Sequence, residues 1–274
     1  MTSAPTHAVA VAPEELPLDD SELWTEPLAP FTWRTTLYSA VAWPLPALSI
    51  FFWYGVLKLA DWTFWDVGKM LRVPRFAAQM TMWLGGVRVR VGGAHNLDRN
   101  QTYLFISNHV SMFDAPVAAA GGVINARSFQ QASHLSIPVY GGFVKMFDQV
   151  LIDWKDPASK ARAHGEALTR LQCGESFGVF PEGQRSDDGK LGPFYDGAFR
   201  LAIEAQVPVM PCALRGLRNI CPPGEWRARP GVVDVLYGDA IPTAGMSLDD
   251  VERLKRRSRR AVNDLLRSGA APRP

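Results

Sequence analysis

The chain has 274 residues, of which 47% are hydrophobic and 20% are charged, and its formal net charge is +2. This length is enough to bury a core in one large domain or two small ones. The small net charge argues against a protein that seeks nucleic acid, so we expect no nucleic-acid partner. Its three cysteines form no C-x-x-C pair, which predicts buried, reduced and structural thiols: Cys173, Cys212 and Cys221.

Residues 1–30 are rich in alanine, proline and acidic residues and show little periodicity. They lack the positively charged start and the apolar core of a signal peptide. The composition therefore predicts that residues 1–30 form a cytoplasmic, partly disordered tail.

A long apolar stretch follows this tail. Between Arg34 and Lys58 no residue is charged, and a bilayer needs about 20 apolar residues to be spanned. Pro44 and Pro46 would break or kink a helix near its start. A second apolar patch, residues 76–86, follows basic residues such as Lys69. We predict that residues 31–85 form a membrane-associated helical hairpin in one leaflet, with the basic residues at the headgroups. A buried helix in a soluble domain is the alternative.

From residue 86 onward, short β-rich runs alternate with helical ones. Strands are predicted in VRVRVGG, TYLFISN, DQVLIDW, ESFGVF, VPVMPCAL and VVDVLYGDAI, and helices in ALTRLQCG, LAIEAQ and SLDDVERLKRRSRRAVNDLL. This alternation predicts an α/β domain over residues 86–274 with a mixed, largely parallel sheet flanked by helices. The basic cluster of the last helix is a solvated face or, as a weaker alternative, a contact with anionic lipid.

The sequence NHVSMFD, residues 108–114, follows a predicted buried strand. Open α/β sheets place their sites at the carboxyl ends of strands, so His109 lies where chemistry is expected. Asp114, on the first turn of a following helix, could hold Nδ1 of the imidazole and leave Nε2 free to take a proton from a hydroxyl. A surface histidine followed by an unrelated aspartate is the alternative, and the spacing alone does not decide between them.

A second polar turn, FPEGQRS, residues 180–186, ends another predicted strand. Its backbone N–H groups and the Arg185 guanidinium suit a phosphate or carboxylate group. In a purely structural turn, Glu182 and Arg185 would instead pair with each other or with neighbours. GESFG matches the serine-hydrolase pattern, but the helix comes before Ser176 and the strand after it, so Ser176 is a poor nucleophile candidate.

Taken together, these stretches resemble the glycerolipid acyltransferase family, which includes the 1-acylglycerol-3-phosphate acyltransferases. Four residues match its NHxSxxD block: Asn108, His109, Ser111 and Asp114. FPEGQRS matches its FPEGTRS block, with Gln184 in the place of threonine. GPFYDGAFRLA and VPVMPCAL resemble two further blocks, in the family's order, within residues 86–240.

The resemblance implies a glycerol-3-phosphate acyltransferase-like fold and a membrane-bound O-acyltransferase. Such an enzyme moves a fatty acyl group from acyl-CoA or acyl-carrier protein, as co-substrate, to a lysolipid hydroxyl, most simply that of 1-acylglycerol-3-phosphate. The implied catalytic pair is His109, as base, and Asp114. Substrate would be bound by Asn108, Ser111, Glu182, Gly183 and Arg185, the last three at the head group. The sequence has no P-loop, no H-E-x-x-H and no G-x-G-x-x-G, so we expect no metal and no nucleotide cofactor. The resemblance implies a place at the inner or cytoplasmic membrane, with the catalytic domain on the cytoplasmic side.

Two departures from the family pattern affect the head group. A lysine is usual shortly before the IP-aromatic-G segment, where this chain has Gln131 and Ala132, and an arginine is usual after LID, where it has Trp154. Lys145 or Lys155 could compensate. The acceptor could therefore be a different lysolipid, such as a lyso-ornithine lipid. Two alternatives belong to other classes: a lipid hydrolase or transacylase with the same His–Asp pair, and a non-catalytic lipid-binding protein.

Overall fold

The computed structural model describes residues 18–62, 72–122 and 126–268. In this part of the chain, seven strands form one sheet in the order β1-β7-β6-β2-β5-β3-β4. The strands are β1 (Val87–Gly92), β2 (Leu104–Ile106), β3 (Ala126–Gln131), β4 (Val150–Ile152), β5 (Ser176–Val179), β6 (Val209–Arg215) and β7 (Gly231–Tyr237). The β6–β7 pair is antiparallel and the other five pairs are parallel. The predicted α/β fold with a mixed, largely parallel sheet is confirmed.

Helices cover both faces of this sheet. They are α1 (Trp33–Ala42), α2 (Pro44–Trp62), α3 (Arg72–Leu84), α4 (Asp114–Gly121), α5 (Tyr140–Met146), α6 (Pro157–Gln172), α7 (Gly197–Ala205), α8 (Leu217–Ile220) and α9 (Val251–Arg267). One hydrophobic core lies between the sheet and α6, α7 and α9, and a second lies against α3 and α4. Strand β6 feeds both, with Val209 and Ala213 on one face and Met210 and Leu214 on the other, because successive side chains of a strand alternate between faces.

The three cysteines differ in their exposure to solvent. Cys212 and Cys221 are buried, as predicted, and burial raises the pKa of both thiols, that of Cys221 to about 11. The prediction of a buried thiol is wrong for Cys173, which is exposed at the end of α6. A buried thiol with a raised pKa is a poor nucleophile, so Cys212 and Cys221 carry a structural role.

The N-terminal helices present a large apolar surface. Helix α1 ends at Ala42 and α2 begins at Pro44, which confirms the predicted break, since proline has no N–H to continue the ladder. Residues Trp33–Ala60 are long and apolar enough to cross a membrane. Large apolar side chains of α1, α2 and α3 are exposed: Trp33, Leu37, Val41, Leu45, Leu48, Ile50, Phe51, Phe52, Leu59, Trp62, Phe76 and Trp83. Residues 63–71, with Lys69, lie outside the described residues.

Residues 18–32 form what we call the N-terminal strap, which runs along the α/β domain. Trp24 N donates to Asn263 Oδ1 (2.8 Å), and Ala29 N donates to Asn219 Oδ1 (3.1 Å). Thr25 forms a β-bridge with Lys190. The prediction of a disordered tail therefore does not hold for residues 18–30, because distant parts of the fold satisfy their backbone groups. Residues 1–17 lie outside the described residues.

Candidate active site

The site begins where β2 ends. Asn108 is buried, and its side chain exchanges two hydrogen bonds with one residue of the neighbouring strand β6: Nδ2 donates to the Leu214 carbonyl (2.9 Å), and Leu214 N donates to Oδ1 (2.8 Å). The amide is thus used in joining β2 to β6. The resemblance implies a substrate contact for Asn108, whereas the geometry leaves it fixing the backbone just before His109.

The next residue, His109, pairs with Asp114 as the sequence predicts. Its Nδ1 lies within hydrogen-bond distance of Asp114 Oδ2, which also accepts from Val110 N (2.8 Å) and Ser111 N (3.0 Å). An oxygen that already accepts from two N–H groups is a poor site for a proton, so the shared proton lies on Nδ1 and Nε2 carries the free lone pair. Asp114 is 1% exposed at the first position of α4, and burial raises its pKa against the effect of these bonds.

The imidazole is also held from its face. Its ring stacks on Phe180, with ring centroids 4.2 Å apart and an angle of 9° between the planes. Phe180 follows β5, the strand beside β2. Ser186 N, later in the same turn, donates to the His109 carbonyl (2.8 Å). The side chain of His109 nevertheless remains 24% exposed, so its Nε2 edge is the part of the ring that a substrate can approach.

Glu182 is buried beneath the His109 backbone and does not lie at the surface of the site. Its Oε1 accepts from His109 N (2.7 Å) and its Oε2 from Gly192 N (2.8 Å). The residue is 5% exposed, and burial raises its pKa to about 7, although both backbone bonds favour the ionised form. The resemblance implies that Glu182 contacts the head group. In this geometry both carboxylate oxygens bond the protein backbone, so the carboxylate is not free to do so. It ties His109 to the segment before α7.

Ser111 is also turned inward. Its Oγ donates to the Cys221 carbonyl (2.7 Å) and accepts from Phe113 N (3.3 Å), and the residue is fully buried. The hydroxyl therefore anchors the start of α4 to the segment that follows α8. A substrate does not reach it in this geometry, which differs from the substrate-binding role implied by the resemblance.

Gly183 and Arg185 are exposed. Gly183 has φ +70°, and a Cβ there would lie 3.1 Å from the Tyr195 ring, so a glycine is needed at this turn. Among the described residues we find no ion pair for Arg185. An exposed guanidinium without a carboxylate partner, two residues after a left-handed glycine, suits an anionic group.

Strands β2, β5, β3 and β4 are parallel neighbours, so their carboxyl ends form one edge with strands about 4.8 Å apart. We call it the carboxyl edge. Ala132 follows β3 there and Trp154 follows β4, with its side chain near the Phe129 ring. Ser176 starts β5 at the opposite edge, and its Oγ accepts from Tyr103 N (3.0 Å). Ser176 therefore lies far from His109, in agreement with the expectation that it is not a nucleophile.

No group of three or more histidine, cysteine or acidic residues that could hold a metal occurs in the described part of the chain. Two contacts of the site were not assigned from the sequence. They are the Phe180 ring and the Gly192 N–H, beside the Leu214 and Cys221 contacts described above. Only the Phe180 ring had a visible signal, an aromatic residue at the start of the polar turn.

Comparison with known proteins now decides the family. The acyltransferase family model matches residues 88–215. The 1-acyl-sn-glycerol-3-phosphate acyltransferase alpha of Homo sapiens is 30% identical over 200 residues, which cover 72% of this chain and 70% of that protein. The chain belongs to the glycerolipid acyltransferase family. It is therefore an acyltransferase, and its predicted family resemblance is confirmed.

Two further relatives agree. The 1-acyl-sn-glycerol-3-phosphate acyltransferase of Limnanthes alba is 27% identical to this acyltransferase over 218 residues, 79% of this chain and 73% of that protein. The crystal structure of the 1-acyl-sn-glycerophosphate acyltransferase PlsC from Thermotoga maritima superimposes with a TM-score of 0.69 at 24% identity, over 83% of this chain and 95% of that one. The similarity to the Thermotoga maritima structure supports the α/β fold of this chain.

The buried Glu182 gives this acyltransferase a pH-dependent stability. Its folded-state pKa of about 7 lies above the ordinary 4.5, so the folded state keeps the proton to higher pH than the unfolded state. The contribution of this raised pKa to the free energy of unfolding is complete below pH 4.5 and is lost as the pH rises to 7. At about 1.4 kcal/mol per pKa unit, the loss is about 3 kcal/mol.

We expect Glu182→Gln to remove this loss, so that the free energy of unfolding changes less between pH 4.5 and 7 in the variant than in the parent protein. Glu26→Gln is the matched control, since burial also raises the pKa of Glu26 to about 7, and it should flatten the profile similarly. The check is chemical denaturation in detergent across this pH range. If the free energy of unfolding changes with pH in the same way in the parent protein and in Glu182→Gln, the raised pKa of Glu182 is contradicted.

Proposed function

We propose that this acyltransferase transfers a fatty acyl group from an acyl thioester, carried by CoA or by acyl-carrier protein, to the free hydroxyl of 1-acylglycerol-3-phosphate, which gives phosphatidic acid. The observation that carries the proposal is the pairing of His109 Nδ1 with the buried Asp114 carboxyl group, in an imidazole whose side chain stays 24% exposed. Relatives named for this reaction support the choice of acceptor.

In the proposed reaction, Nε2 of His109 removes the proton of the lysolipid hydroxyl while that oxygen attacks the thioester carbonyl carbon. The buried Asp114 carboxylate stabilises the imidazolium that forms. The tetrahedral intermediate then collapses, the C–S bond breaks, and the leaving thiolate takes the proton from His109. The C–O ester bond replaces the C–S bond, so no acyl-enzyme is required.

For the head group, the exposed members of the FPEGQRS turn are Gly183, Gln184 and Arg185, of which only Arg185 carries a positive charge. The turn contacts His109 through the Ser186 N–H (2.8 Å). A phosphate bound at this turn would place the rest of a lysolipid beside Nε2. A charge-assisted bond from a guanidinium contributes about 1.5–3 kcal/mol. Arg185 is therefore the proposed main contact with the phosphate.

The proposed place of action is a membrane surface. Trp43, at the break between α1 and α2, stacks on Phe113 (5.4 Å between centroids), and its Nε1 donates to the Trp226 carbonyl (2.8 Å). Phe113 immediately precedes Asp114, and the neighbouring Met112 is exposed. The apolar helices therefore adjoin the catalytic loop, and their insertion into a leaflet would bring His109 to the lipid surface. We place the catalytic domain on the cytoplasmic side of the inner or cytoplasmic membrane.

The acceptor is tested with a panel of lysolipids. Purified protein is incubated with an acyl thioester and each acceptor in turn, and the products are identified by mass spectrometry. We expect 1-acylglycerol-3-phosphate to give the highest kcat/KM. Acylation of a different lysolipid, with none of 1-acylglycerol-3-phosphate, would contradict the proposed acceptor and leave the chemistry at His109 standing.

A second candidate is a lysolipid with a different head group, such as a lyso-ornithine lipid. One observation favours it: the carboxyl edge carries uncharged Ala132 and the half-exposed Trp154 after β3 and β4. If these positions decide head-group choice, Ala132→Lys with Trp154→Arg should raise the preference for phosphate-bearing acceptors by about tenfold, the equivalent of 1.4 kcal/mol.

The matched control for this pair is Leu248→Arg, which adds a cation at an exposed position beyond β7 and away from the carboxyl edge. The relative kcat/KM for two competing acceptors, measured in one mixture, is the readout. No change in acceptor ratio in the double variant would rule out these two positions as specificity determinants.

A further inference from the structure

The N-terminal strap contacts the loop of residues 187–190, which directly follows the turn that carries Gly183 and Arg185. Glu26 N donates to the Gly189 carbonyl (3.1 Å), and Thr25 pairs with Lys190 as a short antiparallel bridge. The contact joins residues more than 160 positions apart in sequence, so it exists only in the folded protein. The strap therefore holds the far end of the proposed head-group turn.

A single arginine fastens this junction. Arg218 lies in α8, which directly follows β6 at the carboxyl edge. Its Nη1 donates to the Glu26 carbonyl of the strap (3.0 Å), and its Nη2 donates to the carbonyl of Asp187, the first residue after the turn (2.7 Å). Arg218 is 7% exposed. The planar guanidinium thus joins two backbone segments with two separate nitrogens, which one lysine ammonium cannot do with the same geometry.

The loop after the turn leaves room for the Arg218 side chain. A Cβ on Gly189 would lie 2.6 Å from Arg218 Cδ, so the glycine makes room for the arginine. Gly189 N donates to Ser186 Oγ (3.0 Å), and Ser186 N donates to the His109 carbonyl (2.8 Å). Continuous contacts therefore lead from Arg218 through the turn to His109, and Arg185 adjoins Ser186 within them.

We propose that Arg218 is a positioning residue for the acceptor: it holds the turn with Arg185 against His109 by tying that turn to the N-terminal strap. This inference rests on the proposed function of the turn as a head-group site. Arg218 itself is buried and touches no substrate. Its effect is on where Arg185 stands relative to Nε2 of His109.

The test compares Arg218→Met with Arg229→Met in the full chain. Arg229 is the matched control, because it is also buried (8% exposed) and also holds the strap, through the Ala29 carbonyl (2.5 Å), but its other bonds go to Asn219 and none goes to residues 180–190. In Arg218→Met we expect the KM for 1-acylglycerol-3-phosphate to rise about tenfold, the equivalent of one lost charge-assisted bond, with kcat and the KM for the thioester changed less than about threefold. Arg229→Met should keep the parent KM values.

Two further measurements separate positioning from general damage. Arg218→Lys, which keeps one of the two bonds, should recover part of the acceptor KM. Amide hydrogen exchange should be faster at Glu26 and Ser186 in Arg218→Met than in Arg229→Met.

An unchanged acceptor KM in an active, folded Arg218→Met protein would overturn this inference alone, and so would an equal rise in Arg229→Met. A parent protein that acylates no lysolipid would overturn the proposed function and this inference together.

Discussion

His109→Ala is expected to lower kcat for acyl transfer by about 10²–10⁴-fold, the range that general-base catalysis contributes. The His109 imidazole is the proposed general base, with Nδ1 bound to Asp114 and the ring stacked on Phe180. Without it, the lysolipid hydroxyl has no positioned base, whereas binding of either substrate keeps its contacts. The measurement is the initial rate at saturating donor and acceptor.

His164→Ala is the matched control for this loss. His164 Nε2 also bonds a carboxylate, Glu204 Oε2 at 2.6 Å, but the pair lies on the outer helices α6 and α7. We expect parent-like rates from this variant. Retention of more than about a tenth of the parent kcat in a folded His109→Ala protein would contradict the assigned role, because general-base catalysis is worth at least about a hundredfold.

Asp114→Asn refines the same prediction. An asparagine can keep its carbonyl oxygen where Oδ2 accepts from Val110 N and Ser111 N, so His109 keeps its orientation. It lacks the negative charge that stabilises the imidazolium. We expect a lower kcat with little change in either KM, and a smaller loss than in His109→Ala. A loss larger than that of His109→Ala would point to collapse of the loop instead.

Arg185→Ala is expected to raise the KM for 1-acylglycerol-3-phosphate by about 10–150-fold, the equivalent of 1.5–3 kcal/mol for a lost bond between charged groups. The reason is the exposed guanidinium in the turn that contacts His109. The KM for the thioester donor should not change, since the phosphate belongs to the acceptor. Initial rates at fixed donor and varied acceptor give this value.

Arg99→Ala serves as its control, since Arg99 is exposed in the loop before β2, at the edge opposite the site. It removes one positive charge without touching the turn. If both variants raise the acceptor KM equally, the effect is a general loss of attraction for an anionic lipid, and the assignment of Arg185 to the head group fails.

Much of the fold could be predicted from local pattern. β1 alternates apolar and polar residues, and β6 and β7 are apolar runs bounded by turns. The break at Pro44 follows from the missing proline N–H. Strand β3 was missed because ARSFQQ has no β-branched residue and every position of it is half-buried, so neither alternation nor an apolar run marks it. It becomes a strand through pairing with β5 and β4.

The site likewise has one part that the sequence indicates and another that only the fold reveals. The His109–Asp114 pair lies within one strand-to-helix turn, so the sequence could propose it, although the spacing alone could not decide it. Asn108, Ser111 and Glu182 bond backbone groups of Leu214, Cys221 and Gly192, which only the fold brings near. Sequence therefore marked these residues as part of the site but could not show that their side chains brace it. The strap was missed for the same reason.

The most direct test of the account follows one labelled acyl group. Purified protein receives an isotope-labelled acyl thioester and unlabelled 1-acylglycerol-3-phosphate in mixed micelles, and mass spectrometry measures labelled phosphatidic acid, free thiol and labelled fatty acid, with His109→Ala in parallel. The account predicts labelled phosphatidic acid and thiol in equal amounts, formed with the parent protein and nearly absent with the variant. Labelled fatty acid as the main product, product formed without the thioester, or equal amounts from both proteins would contradict it.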